Sequence, residues 1–352
     1  MTSVTSEDEA QLYDDFITNG LVPLWSIRED LMPTVPKPNA VPHLWRWNEL
    51  YSLAQRAGEL IPVGRGGERR AIAMANPGLG GLPYATPTLW AAIQYLAPGE
   101  VAPSHRHSQN AFRFVLEGEG VWTVVDGDPV AMRRGDLLLT AGWQFHAHHN
   151  PNSQPMAWLD GLDVPFAAHI DAEFFEFGAA EPDDRTTPKR SRSERLWGHP
   201  ALRPVSDSDR DHGFSPLAAY RWEHTDAALR AQLELEAAGH HGVVSAGHAA
   251  VRFTNPTTGA DALPTIRTEM HRIAPGATTL TTREAGSSVW QVFDGTGSVI
   301  LDDQRRDIER GDVFAVPSWC AFRLVGDAEL TLFRMSDAPI FELLRLNRKA
   351  TT

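Results

Sequence analysis

Cysteine is nearly absent from this chain. Cys320 stands alone among 352 residues, which excludes an intrachain disulfide and fits a reducing compartment. Long apolar runs are missing too. Nothing approaches the roughly 20 residues of a membrane-spanning helix. The start, Met1 to Asp15, carries neither the basic segment nor the apolar core of a secretory signal. Positive charge is in deficit, with 32 Lys and Arg against 45 Asp and Glu and a net charge of −13. That excludes a broad electrostatic nucleic-acid surface but permits a local basic pocket. The expectation is a soluble cytoplasmic protein with neither nucleic acid nor membrane as partner.

What is present is a globular composition, 42% hydrophobic and 22% charged, long enough for two domains. Residues 1–85 read as a partly helical N-terminal extension, with helices expected over Glu7–Asn19 and Leu44–Leu60 and a short strand over Ala71–Met74. Residues 86–170 are β-rich: Ala111–Val115, Gly120–Val125 and Asp136–Thr140 are apolar or alternating runs between Glu-Gly, Asp-Gly and Arg-Gly-Asp turns. Residues 171–242 read as a polar linker with a short helix over Leu229–Ala238. Residues 243–345 are β-rich again, and 346–352 form a tail.

The two β regions are copies. Gly99 pairs with Gly276 and Gly118 with Gly295, both at an offset of 177, while Gly135 pairs with Gly311 at 176. One residue is therefore missing from a hairpin of the second copy. An internal duplication of a β-barrel with regularly spaced turns follows.

The chemistry sits in the first copy. His105 and His107, at i and i+2 on a strand, point to one face, and His146 follows 39 residues after His107. Three neutral imidazoles suit a divalent metal, without fixing iron over zinc. The corresponding slots of the second copy hold Thr282, Glu284 and Phe322, so no such triad forms there. A structural or oligomerisation role is expected for that barrel.

Gly99, His105, His107 and Gly118 fall in register with the first cupin motif, with Ala111 in the slot where many cupins carry a glutamate ligand. Gly135, His146 and Asn150 match the second motif, with Ala141 and Trp143 replacing its Pro and Gly. The chain thus resembles an all-β bicupin, two jelly-roll-like cupin barrels behind a short partly helical extension. Further stretches carry a narrower resemblance: Asn76-Pro-Gly-Leu-Gly-Gly, Thr88-Leu-Trp-Ala-Ala-Ile-Gln, Phe112-Arg-Phe-Val-Leu-Glu-Gly-Glu-Gly and Trp158-Leu-Asp-Gly-Leu-Asp. They are similar to those of gentisate 1,2-dioxygenases and the related salicylate and 1-hydroxy-2-naphthoate dioxygenases.

That resemblance implies one Fe(II) per subunit, O2 and a small aromatic acid as partners, and a homotetramer or homodimer. It also implies cleavage of the ring bond between the carboxyl- and hydroxyl-bearing carbons of gentisate or another 5-substituted salicylate. A salicylate or hydroxynaphthoate dioxygenase, and a non-catalytic cupin that senses an aromatic acid, are the alternatives. By the same resemblance His105, His107 and His146 hold the metal. Arg113, three strand pairs after His107, is expected on the same side, to pair with the substrate carboxylate or an anionic intermediate. His148, two residues after His146, is expected on the same face, to hydrogen-bond substrate oxygen or shuttle a proton. Asp160 matches a family aspartate and takes a proton or orients a neighbouring group. Trp90 packs against the ring, Gln94 hydrogen-bonds near the metal, and Arg69 or Arg70 matches a pocket arginine. Ala92 leaves room for the ring. His149 points away and reads as structural. The run His146-Ala147-His148-His149 departs from the family's His-Asp-His, which bears on substrate identity more than on reaction class.

Overall fold

Two-residue turns cut the sequence into hairpins. Asp126 and Gly127 both take positive φ (45° and 75°), as do Asp302 and Asp303 of the second copy (43° and 68°), the twist that joins two antiparallel strands most directly. The computed structural model describes residues 6–61, 63, 70–179, 188–207 and 213–351, and divides into Met1–Lys37 and Pro38–Thr352. The first unit holds helices α1 (Ser6–Thr18) and α2 (Leu24–Leu31). Within it Trp25 donates its indole N–H to the Tyr13 hydroxyl at 3.0 Å.

The second unit begins with β1 (His43–Trp45), α3 (Trp47–Leu60) and β2 (Ala71–Ala73). Then come β3 (Trp90–Leu96), β4 (Val101–His107), β5 (Ala111–Glu117), β6 (Glu119–Val125), β7 (Asp128–Arg133), β8 (Leu137–Thr140), β9 (His146–His149) and β10 (Met156–Leu162). The connection carries α4 (Val164–His169), β11 (Phe175–Phe177), α5 (Arg192–Trp197), β12 (Ala219–Tyr220) and α6 (Trp222–Ala237). The second barrel has β13 (His248–Arg252), β14 (Arg267–Ile273), β15 (Thr282–Glu284), β16 (Ser288–Asp294), β17 (Thr296–Leu301), β18 (Gln304–Glu309), β19 (Val313–Val316), β20 (Phe322–Gly326) and β21 (Leu330–Ser336). It closes with α7 (Ala338–Leu343) and β22 (Lys349–Thr351).

Each barrel is two facing sheets. The first uses β2-β3-β10-β5-β8-β12 and β7-β6-β9-β4-β11; the second uses β13-β14-β21-β16-β19-β1 and β18-β17-β20-β15-β22. The missing residue of the second copy is a β-bulge. In β6 the pairing with β7 shifts between Glu119 and Trp122, whereas β17 pairs with β18 without a break.

The expected helix over Leu44–Leu60 is corrected at its start. His43–Trp45 is extended and pairs with Val313–Ala315 of the second barrel. The stretch 171–242, expected as linker, contributes Ala219–Tyr220 to the first barrel's sheet. These two additions are mirror images. Arg46 bonds Asp312 at 2.7 Å, and the Trp47 backbone N–H donates to the other Asp312 oxygen. Arg221 bonds Asp136 at 2.5 Å, and the Trp222 backbone N–H donates likewise. A Cβ on Gly311 would meet the Trp47 ring at 2.1 Å, and one on Gly135 the Trp222 ring at 2.7 Å. So the Arg-Gly-Asp turn of each barrel is gripped by the Arg-Trp pair that precedes the other barrel.

Strand β5 serves two cores at once. Phe112 and Phe114 point out of the first barrel toward the second, where Phe114 stacks on Phe333 at 4.2 Å and 10°. The alternate residues 111, 113 and 115 therefore face the first barrel's interior.

Candidate metal centre

His105 and His107 alternate along β4 with Arg106, which lies on the opposite face. There its guanidinium bonds Glu176 and sits 4.4 Å from both the Trp143 and Phe145 rings. Strand β9 lies antiparallel beside β4 with His146 opposite His105. The ring centroids are 5.7 Å apart for His105 and His107, 4.1 Å for His105 and His146, and 5.0 Å for His107 and His146. One ligand atom from each lies within 4.8 Å of the others, and no other group of three or more His, Cys, Asp or Glu among the described residues does the same.

The backbone selects which nitrogen faces inward. Nδ1 of His105 lies 3.0 Å from the Pro103 carbonyl, Nδ1 of His107 2.9 Å from Gln109, and Nδ1 of His146 3.0 Å from Gln144. Each contact holds the proton on Nδ1 and leaves Nε2 with its lone pair, as in histidine metal sites. Nε2 of His146 is buried and has no hydrogen-bond partner, a costly state that a bound cation relieves. Burial first, then the positive charge of Arg113, holds His146 well below the usual histidine range, hence neutral. The donor set therefore fits a divalent transition metal. Ala111 lines the cavity where a carboxylate ligand would stand.

The turn before β9 is strained in a conserved geometry of both barrels. Trp143 has φ 68° and Trp319 φ 65°, each where the cupin motif has glycine. Their N–H groups donate at 2.7 Å to the carbonyls of His107 and Glu284. That hydrogen bond ties the turn to the ligand strand and offsets a backbone cost of about 1–3 kcal/mol.

An open cavity of ≈ 580 Å³ fronts the three histidines, and Trp90, Gln94, Arg113, His148 and Asp160 all line it. The facing sheet brings four of them together. Asp160 on β10 is directly opposite Arg113 on β5 and Ala92 on β3, while Gln94 is opposite Trp158. Asp160 lies 3.7 Å from Arg113 Nε and accepts the Trp158 indole N–H at 3.0 Å. Arg113 donates to the Thr140 hydroxyl at 2.6 Å. Burial raises the Asp160 carboxyl to about 6, with Arg113 and the Trp158 hydrogen bond opposing. His148 is held neutral by burial first and by Arg113 second, and its Nδ1 lacks a hydrogen-bond partner. His149 faces away and stacks on Trp122 at 4.1 Å and 4°.

Three expectations need revision. Arg113 faces the cavity of His107, but not through parity along one strand: β5 belongs to the facing sheet and reaches the same cavity from the other side. Arg70 does not line the cavity. Its guanidinium is taken by Glu100 and the Ile61 carbonyl, an ion pair that fixes the β3–β4 turn instead. Ala92 shares the side of Trp90 and Gln94 but is fully buried, behind the residues that line the cavity. Arg69 lies outside the described residues.

Other residues of the site carried no sequence signal. Glu173, Phe174 and Phe175 line the cavity. Strand β11 pairs beside β4 with Phe175 opposite His107, and the Phe175 ring stacks on His105 at 5.6 Å and 26°. These residues lie in a stretch expected as linker. Trp158 is fully buried and supports both Asp160 and His148. Trp158 opened one of the stretches that carry the family resemblance, but its own part in the site was not expected.

The arrangement defines a two-barrel cupin with a three-histidine metal centre in the first barrel, and residues 92–163 match the model of the cupin domain. The chain is 61% identical to a gentisate 1,2-dioxygenase of Streptomyces sp over 99% of this chain and 98% of that protein. It is 34% identical to a 5-aminosalicylate 1,2-dioxygenase of Comamonas sp over 96% and 89%. It superposes on the salicylate 1,2-dioxygenase of Pseudoaminobacter salicylatoxidans, solved as an adduct with gentisate, with TM-score 0.95, 55% identity and coverage of 100% and 95%. The chain belongs to the gentisate 1,2-dioxygenase family of ring-cleaving dioxygenases. Among the described residues no helix is long and apolar enough to cross a membrane.

Proposed function

We propose that the chain is an Fe(II)-dependent enzyme, with one iron per subunit, that uses O2 to open the ring of gentisate or another 5-substituted salicylate. The scissile bond joins the carboxyl- and hydroxyl-bearing carbons. The observation that carries this reading is the neutral three-histidine cluster facing the Arg113–Asp160 pair across one cavity. His105, His107 and His146 would hold iron through Nε2, and iron would supply the one-electron chemistry that couples O2 to the ring.

The chain's own residues bind and orient the acid. The Arg113 guanidinium, fixed by Thr140 and beside Asp160, pairs with the substrate carboxylate. Uncharged His148 presents a ring nitrogen to a substrate oxygen and can hold its proton. Asp160, raised to about 6, is poised to take a ring-hydroxyl proton near neutral pH. Trp90 and Phe175 give the ring flat apolar walls, and Phe174 and Phe175 keep water from the mouth. The Gln94 amide supplies a neutral hydrogen bond beside Trp158.

Exposed apolar side chains of the first unit, including Ile17, Val22 and Trp25, support a homodimer or homotetramer. A cytoplasmic location is part of this proposal, which the single cysteine, Cys320, fits.

The test is a substrate panel on protein reconstituted anaerobically with Fe(II): gentisate, salicylate, 5-aminosalicylate, 5-nitrosalicylate and 1-hydroxy-2-naphthoate. O2 uptake and product mass are read for each. Ring-opened product carrying both oxygen atoms is expected with gentisate or a 5-substituted salicylate. No uptake with any of these acids would overturn the reading, and turnover of the naphthoate alone would move it to the hydroxynaphthoate reaction.

A further inference from the structure

The second barrel has lost the metal ligands but has not been filled. Thr282 and Phe322, two of the replaced positions, pair directly across β15 and β20, and a cavity of ≈ 170 Å³ remains between the sheets. A barrel kept only as scaffold gains by packing such a space, because voids forfeit dispersion contacts and lower stability.

The walls are specific in size, charge and polarity. Trp290, Phe322 and His271 form an aromatic side, with Trp290 4.9 Å from Phe322 and 4.7 Å from His271. The space is close to that of an engineered cavity of about 150 Å³ that takes up benzene. The charges lining it are already matched. Arg334 donates to Glu269 at 2.7 Å and to Glu284 at 2.6 Å, and Lys349 is 2.8 Å from Glu284. Asp337 is occupied by the backbone and hydroxyl of Ser287. His248 and His271 share a 2.9 Å hydrogen bond, and burial holds both below the ordinary histidine range. Each cation thus already faces at least one carboxylate, and of the Arg334 guanidinium only Nε is left without a partner. Yet the Ser336 hydroxyl, 2% exposed, lines the cavity without a hydrogen-bond partner, and so does the Ser245 hydroxyl near its edge. Buried hydroxyls without partners are rare unless something else satisfies them.

We propose that the second barrel is a binding site for an uncharged, hydroxyl-bearing molecule of single-ring size, a phenol, in contrast to the aromatic acid of the first barrel. The ring lies against Trp290 and Phe322, and its hydroxyl bonds Ser336 with Ser245 in reach. Exclusion of carboxylates follows from the offset charges, since an added anion would sit beside Glu284 with an arginine already shared by two glutamates.

The test uses the iron-loaded enzyme under anaerobic conditions, titrated calorimetrically with phenol, toluene and benzoate. Ser336→Leu fills the cavity and Ser336→Ala removes only the hydroxyl; neither touches the first barrel's site. Expected is a saturable phenol site in the wild type that is lost in Ser336→Leu while ring-opening turnover is unchanged. Ser336→Ala should weaken phenol at that site about tenfold, the loss of roughly one buried hydrogen bond, and leave toluene unaffected. Benzoate should not displace the phenol. Wild-type phenol binding in both variants, or displacement by benzoate, would overturn the proposal. Should Ser336→Leu fail to fold, the phenol-to-toluene ratio in Ser336→Ala decides alone.

Discussion

Removing the Arg113 cation should convert Asp160 into a pH-dependent liability of predictable size. Both side chains are almost fully buried, 3.7 Å apart. The folded-state carboxyl lies at about 6 against 3.8 for the free group, with burial as the largest cause. A raised acid binds its proton more tightly in the folded state. Ionising it therefore costs stability, and the cost accumulates from about pH 4 to pH 6 before levelling. In Arg113→Met the carboxyl moves higher still, so the cost goes on accumulating above pH 6 at about 1.4 kcal/mol per pH unit. At pH 8 the Arg113–Asp160 coupling should reach about 2.7 kcal/mol, under a ceiling near about 4.5 kcal/mol for unit charges at this separation and an effective dielectric of about 20. At pH 5 the carboxyl is protonated with or without Arg113, and the coupling should fall below about 0.5 kcal/mol. The measurement is a double-mutant cycle of Arg113→Met and Asp160→Asn in urea unfolding of metal-free protein at pH 5, 6.5 and 8. A coupling that does not change with pH, or stays under about 1 kcal/mol at pH 8, would refute the electrostatic argument. The same Arg113→Met enzyme should keep its metal and lose turnover; unchanged turnover removes the guanidinium from substrate binding.

Two further outcomes follow from the same geometry. His146→Ala should lose both bound metal, read by elemental analysis, and ring-opening activity; full metal content with normal turnover would dismiss the triad. Arg221→Met strands two buried carboxylates, Asp136 and Glu194, which it bonds at 2.5 and 2.7 Å, and should cost about 3–5 kcal/mol of stability. An unfolding free energy from urea titration within about 1 kcal/mol of wild type would show that the clasp on the Arg-Gly-Asp turn is dispensable.

The metal centre was legible because it is local. His105 and His107 share a strand, so spacing alone puts them on one face, and His146 was found through glycine-framed motifs that record the turns between strands. The second copy was legible by the same glycines, and its replaced ligands Thr282, Glu284 and Phe322 showed where no triad could form. Element types followed wherever turn chemistry and alternation agreed.

What the sequence by itself determined about this protein is therefore the duplicated β architecture, the three-histidine cluster and the family resemblance that these carry. All three are written in short-range patterns of turns and strand parity. Only the tertiary structure decided which distant pieces complete each barrel. His43–Trp45 joins the second barrel and Ala219–Tyr220 the first, because each Arg-Trp pair finds its buried aspartate across the molecule and not beside it in sequence. It also decided that Phe175 of the connecting segment covers His105, that Arg70 is spent on Glu100, and that Arg113 meets Asp160 across paired strands. Pairing between strands and burial of charge depend on which surfaces meet in space, and nothing in a local pattern encodes that choice.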